Sequence, residues 1–239
     1  MKFLKFNTYE EMSTAAANIV AEQIKAKPNS VLGLATGSTP VGMYKKLIEM
    51  NKAGEIDFSD ITTVNLDEYY PIDPENNQSY RYFMNDNLFD HINIDKERTN
   101  LLYGLAEDPD RECERYEQLI KDLGGIDIQV LGIGQNGHIA FNEPEENLYL
   151  HTHKTALTES TIKANSRFFS EGEIMPTASL TMGMGTIFAA KKIILLINGK
   201  SKKAAFEQLT TDRFNTSCPA TILKLHPDVT VIYDAEVGD

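Results

Sequence analysis

Two hydrophobic rhythms alternate along the chain. Short unbroken apolar runs occur at Val31 to Ala35 (VLGLA), Ile61 to Leu66 (ITTVNL), Ile126 to Ile133 (IDIQVLGI), Ile193 to Asn198 (IILLIN) and Val229 to Tyr233 (VTVIY). Runs this short, β-rich and apolar on both faces predict strands covered on both sides of a parallel sheet. Amphipathic stretches lie between them. Thr8 and Glu11, at capping-box spacing, open a predicted helix over Tyr9 to Lys25 with apolar positions at Met12, Ala16, Ile19 and Ile24. Val41 to Asn51, Asp110 to Leu123 (Tyr116, Leu119 and Ile120 on one side) and Lys200 to Leu209 follow the same helical pattern. Strands alternating with helices predict an α/β fold: a three-layer α/β/α arrangement around a mostly parallel, Rossmann-like sheet. No repeat, low-complexity tract or Pro/Gly/Ser linker divides the sequence, so one domain over residues 1–239 is expected. Pro71 to Gln78 and Phe168 to Thr177 read as loop excursions from it.

Composition narrows the classes. With 239 residues, 41% of them hydrophobic, the chain is long and apolar enough to bury a substantial core, and dominant disorder is excluded. Lys and Arg number 23 against 35 Asp and Glu, a formal charge of −12. Such a surface repels nucleic acid and anionic membranes, so neither is an expected partner. Two cysteines, Cys113 and Cys218, make no disulfide framework and point to a reducing compartment. Met1 to Phe6 stops too soon for a signal sequence, and the longest aliphatic stretch, Ile193 to Ile197, is far short of the ~20 residues a spanning helix needs. A soluble cytoplasmic protein is expected.

In open α/β sheets ligands sit at the carboxyl ends of the strands, so the polar residues just after each predicted strand carry the chemistry. After the first comes Thr36-Gly37-Ser38-Thr39-Pro40, leading into a helix. Backbone N–H groups and hydroxyls there can hold a phosphate, or the segment can be an ordinary capped turn. It lacks the Gly-Lys-Ser/Thr ending of a nucleotide-binding loop. After Ile61 to Leu66 come Asp67 and Glu68, flanked by Leu66 and two tyrosines. They read either as a general base held partly away from water or as an exposed acidic turn.

The richest segment is Gly132 to Pro144 (GIGQNGHIAFNEP). Glycines at 132, 134 and 137 let backbone approach a ligand, and His138 lies near enough to Glu143 to pair with it. An imidazole oriented by a carboxylate moves protons near neutral pH. The run resembles a dinucleotide fingerprint, but its mid-chain place and the following Pro loop argue against NAD. After Ile193 to Asn198, Gly199-Lys200-Ser201-Lys202-Lys203 opens another helix. Lysines in a first turn oppose the helix dipole unless an anion binds between them, with Arg167 a candidate companion; a solvated basic face is the equal alternative. His151-x-His153 has no Cys or HExxH context to support zinc, Met182-Gly183-Met184-Gly185 reads as core packing, and no Gly-x-Ser-x-Gly elbow is present.

Taken together, LATGSTP (34–40), NLDEY (65–69), GIGQNGHIAFNEP (132–144), ANSRFF (164–169) and the turn at 199–202 resemble the glucosamine-6-phosphate deaminase family across nearly the whole chain. Related 6-phosphogluconolactonases share the phosphate loop and the Gly-His, but their pattern diverges after the Ala, and Phe141-Asn142-Glu143-Pro144 favours the deaminases. The resemblance implies a reaction without cofactor or metal, converting glucosamine 6-phosphate and water to fructose 6-phosphate and ammonia. It implies Asp67 as the base moving a proton from C2 to C1. It implies His138, supported by Asn136 and Glu143, as the acid at the ring oxygen, with Thr36, Gly37, Ser38, Thr39, Arg167 and Lys202 holding the phosphate. Some family members carry Asp where this chain has Asn136; an Asn carbonyl would orient the His138 ring by accepting its N–H without offsetting an imidazolium charge. Longer members are in some cases hexamers switched by N-acetylglucosamine 6-phosphate. Glu145 to Thr155 lacks the basic pattern associated with that effector, so an unregulated monomer or low-order homo-oligomer is expected. A sugar-phosphate lactonase, an aldose–ketose isomerase or a non-catalytic sugar-phosphate sensor on the same scaffold are the competing readings.

Overall fold

A computed structural model describes residues 1–158, 162 and 175–238. The apolar runs form the middle of a seven-stranded sheet. Its strands are β1 (Lys2–Phe6), β2 (Val31–Leu34), β3 (Thr62–Asn65), β5 (Thr99–Asn100), β6 (Ile128–Leu131), β9 (Ile193–Ile197) and β10 (Val229–Asp234). They are ordered β1-β10-β9-β6-β2-β3-β5, and every pair is parallel. Each predicted strand is present, trimmed by up to two residues at its ends, except that β10 runs one residue further.

Alternation along these strands divides the core in two. Val31, Leu131, Ile193, Leu195 and Val231 face one apolar layer, whereas Leu32, Ile128, Ile194, Leu196 and Ile232 face the other. The second layer is completed by α1 (Tyr9–Ala26), α2 (Val41–Lys52) and α3 (Tyr80–Asn87) through Met12, Val20, Tyr44, Leu47 and Met84. The first is completed by α4 (Pro109–Asp122), α5 (Met184–Phe188) and α6 (Lys203–Thr210) through Tyr116, Ile120, Ile187, Phe206 and Leu209. This is the three-layer α/β/α arrangement. The Thr8 cap is also present: its hydroxyl accepts from Glu11 N–H, while the Glu11 carboxylate reaches back to Asn7 N–H rather than to the cap residue itself.

A second, antiparallel sheet joins β4 (Asp67–Tyr70), β8 (Ala178–Thr181) and β7 (His153–Ala156) in the order β4-β8-β7. Asp67, Thr181 and His153 share one row across it. Leu180 and Met182 pack this sheet onto the core behind the main one, and Met182 and Met184 are buried there as the sequence led us to expect. At the amino-terminal rim of the main sheet, buried Asp127 accepts hydrogen bonds from Lys27, Lys191 and the N–H of Val31. At the opposite rim, the segments after β2, β3, β6 and β9 converge. In the strand order these are neighbours: β9, β6, β2, β3.

Candidate active site

That carboxyl-end rim holds a cleft of about 550 Å³ lined by Thr36 to Thr39, Asp67, Tyr80, Gly132 to Asn136, His138, Ala140, Phe141, Glu143 and Lys202. The residues expected to carry catalysis and to hold the phosphate therefore meet in one place, except Arg167, which lies outside the described residues with the rest of ANSRFF. Tyr80 enters from α3.

The loop after β2 turns at Gly37, whose φ of +89° suits glycine. Among the described residues, the N–H groups of Gly37, Ser38 and Thr39 have no protein acceptor. The donors offered to an anion therefore belong to the loop. The start of α2 is already engaged: Val41 N–H meets Ser38 O, and Gly42 N–H donates to Tyr9 Oη. The Tyr9 hydroxyl is shared between the Ser38 and Thr39 carbonyls, at 3.0 Å each, and so clamps the loop from α1. Thr39 Oγ1 donates to Asn198 Oδ1 at 2.6 Å, tying this loop to the end of β9. Lys202 ends a 3₁₀ turn after Gly199 and is half-buried, and burial lowers its pKa. Lys202 is the lysine of that turn that lines the cleft; exposed Lys200 does not.

Asp67 and Glu68 are not an exposed turn. They are 6% and 2% exposed. Burial, reinforced by the charge of Glu68, pushes the Asp67 carboxyl up to about 8. Burial pushes Glu68 up to about 7, opposed by N–H donors from Tyr80, Arg81 and Tyr69 and by the Arg81 charge. A carboxyl with so high a proton affinity is matched to proton transfer near neutral pH.

Across the cleft, His138 Nδ1 lies 3.3 Å from Glu143 Oε1, a close contact without full hydrogen-bond alignment. Asn136 does not touch the imidazole N–H, contrary to expectation. Its Oδ1 accepts the backbone N–H of His138 at 3.2 Å, and its Nδ2 donates to Glu143 Oε2 at 2.7 Å. The side chain folds back as a turn cap and steadies the carboxylate instead. Two glycines are required by contact. A Cβ at Gly134 would come within 2.3–2.5 Å of the His138 ring, and one at Gly137, with φ +86°, would come within 2.2 Å of Cys218 Sγ. Ala140 adopts φ +55°, a strained conformation for a residue with a side chain, at the turn that leads to Glu143.

The histidines of the His151-x-His153 pair diverge. His151 approaches Glu117 at 3.8 Å, while His153 stacks on Tyr149 with ring centroids 4.0 Å apart. Tyr9, Tyr80 and the role of Glu68 were not identified from sequence. Tyr80 lies in an aromatic-rich stretch, YRYF, that offered a weak signal.

Anion donors on one side of a cleft, and a buried carboxyl facing a histidine–carboxylate pair on the others, define an acid–base enzyme of the α/β/α class. The chain belongs to the glucosamine-6-phosphate isomerase/6-phosphogluconolactonase family, whose pattern it matches over residues 7–232. It is 56% identical over 238 residues to a glucosamine-6-phosphate deaminase of Thermoanaerobacter pseudethanolicus, covering 100% of this chain and 94% of that one. Identity to the Clostridium beijerinckii protein of the same name is 56% over 239 residues, covering 100% and 99%. The solved structure of a monomeric glucosamine-6-phosphate deaminase superposes with a TM-score of 0.96 at 47% identity, covering 100% and 99%. A 6-phosphogluconolactonase from Thermotoga maritima superposes at 0.78 with 19% identity, covering 98% of each chain, and shares the fold.

Proposed function

We propose that this enzyme converts glucosamine 6-phosphate and water to fructose 6-phosphate and ammonia, in amino-sugar catabolism. The observation that carries the reading is the buried Asp67 carboxyl, of raised proton affinity, set in one cleft with the His138–Glu143 pair and an anion-binding loop. The phosphate takes the loop N–H groups, that of Thr39 included, the hydroxyls of Thr36 and Ser38, and Lys202, with Arg167 as a further ligand. His138, steadied by Glu143 and Asn136, gives a proton to the ring oxygen as the pyranose opens. Asp67 then removes the C2 proton and returns it to C1 on the same face. The product of that transfer is an imine at C2; water adds there, the C–N bond breaks, and ammonia leaves. Orientation and a matched acid and base supply the acceleration, the latter typically about 10²–10⁴-fold.

Supporting arguments extend to the whole chain. The second sheet shares the core of the first, consistent with one domain over residues 1–239. Both cysteines are buried free thiols, which fits a cytoplasmic protein. Among the described residues, no helix is long and apolar enough to cross a membrane. The close structural match to a monomeric relative favours a monomer.

Proton NMR of glucosamine 6-phosphate with the purified protein, alongside an ammonia assay, tests the reaction. Fructose 6-phosphate and ammonia are expected in equal amounts. Unchanged substrate with folded protein overturns it, and 6-phosphogluconolactone becomes the next substrate to try.

A further inference from the structure

Beside Asp67 stands a second buried carboxylate that the reaction above does not use. Adjacent residues of a strand project to opposite faces, so Glu68 points away from the cleft that Asp67 lines. Its environment is built. Oε1 accepts the N–H of Tyr69 at 2.9 Å and of Tyr80 at 2.8 Å, and Oε2 accepts the N–H of Arg81 at 2.9 Å. Tyr80 and Arg81 are the first two residues of α3, whose cap, Ser79, separately accepts from Tyr82 N–H. A strand carboxylate twelve residues away thus completes the N-terminus of this helix. Three N–H donors favour the ionised carboxylate, because a protonated one would lose at least one of these bonds.

We propose that Glu68 is a positioning residue acting through Asp67: locked behind the base by three backbone donors, it places a negative charge beside it when ionised, and it holds α3 so that Tyr80 walls the cleft. The Tyr80 ring lies 4.8 Å from that of Tyr69 and stacks on Phe141 at 6.2 Å with the planes 7° apart, so Tyr80 and Phe141 form an apolar wall of the cleft that Asp67 lines. Among the described residues, the other titratable groups facing Asp67 are Tyr80 from α3, Tyr116 from α4 and, across the cleft, His138, Glu143 and Lys202. Burial is the larger cause of the raised Asp67 proton affinity, and the charge of the adjacent Glu68 adds to it. The consequence is a division of labour. Glu68, held by three N–H donors, is the carboxyl favoured as the anion, and Asp67, which among the described residues accepts none, keeps its affinity for the proton it must carry.

The proposal rests on Asp67 being the base of the deaminase reaction, but its first test needs no substrate. Carbon-13 NMR of the side-chain carboxyls of the unmodified protein is expected to show Glu68 losing its proton before Asp67, with the Glu68 signal sensing the later Asp67 step. The reverse order overturns the proposal. Should the order hold while no ammonia is ever released, the deaminase reading alone falls. The second test is the pH profile of kcat/KM in Glu68→Gln. With the negative charge gone, the limb set by deprotonation of the base should move to lower pH. A limb that stays in place, whatever the loss in rate, makes Glu68 only a helix cap and overturns its action on Asp67.

Discussion

At the scale of single residues, the site holds its proton carrier at the expense of stability. Asp67 has a native pKa near 8 against about 4 unfolded, so its ionised form is disfavoured by folding. Its contribution to stability is complete below the unfolded value and is lost as pH rises through the native one. Asp67→Asn should therefore lower kcat by about 10²–10⁴-fold. The same change should raise Tm above neutral pH by roughly 2–4 °C for each kcal/mol relieved. Calorimetry at pH 8.5 checks this, and a lower Tm would refute it. Gly134→Ala forces the His138 ring from its seat and should abolish most activity while circular dichroism stays native. Asp127 gives the opposite stability case. Burial alone would raise its pKa, but hydrogen bonds from Lys191, Lys27 and Val31 N–H outweigh it and the net shift is downward. Its stabilisation is present above the unfolded value and lost as acid protonates it. Asp127→Asn should cost about 2 kcal/mol at pH 7, with the difference from the parent protein shrinking in acid denaturation near pH 3.

At the scale of elements, what could be read from sequence followed burial. β2, β6, β9 and β10 are enclosed between helices on both faces, so their apolar runs announced them. β4, β7 and β8 (DEYY, HKTA and ASLT) did not, because a short antiparallel sheet pairing residues far apart in sequence leaves neither an apolar run nor a clear alternation. The edge strand β1 (KFLKF) and the helix α3 (YRYFMNDN) were missed for similar reasons: the first is largely exposed, and the second buries fully only Met84. The cleft residues were legible because they follow recognisable strands. Asp67 was found that way although its own strand was not. The Glu68 bond to α3 and the Tyr9 clamp were invisible, since each joins residues 12 or more apart through backbone atoms that carry no sequence signature. Tyr9→Phe tests the clamp. Losing these bonds, worth about 1 kcal/mol net, should raise KM about fivefold with a smaller change in kcat, as initial rates will show.

At the scale of the whole molecule, a charge of −12 meets an anionic substrate. Binding then depends on the local donors of the β2 loop and on Lys202, and long-range attraction contributes little. kcat/KM should stay roughly flat between about 0.05 and 0.3 M salt; a steep fall would reveal a basic approach path. Saturation by glucosamine 6-phosphate should be hyperbolic, unaffected by N-acetylglucosamine 6-phosphate, with sedimentation reporting a single chain.

The rim where Lys27 and Lys191 grip Asp127 lies at the opposite edge of the main sheet from the cleft. For a surface-bound sensor this makes the protein a directional part. A linker attached near that rim would leave every catalytic loop facing the sample, with a whole sheet's depth of packed core between the anchor and the chemistry.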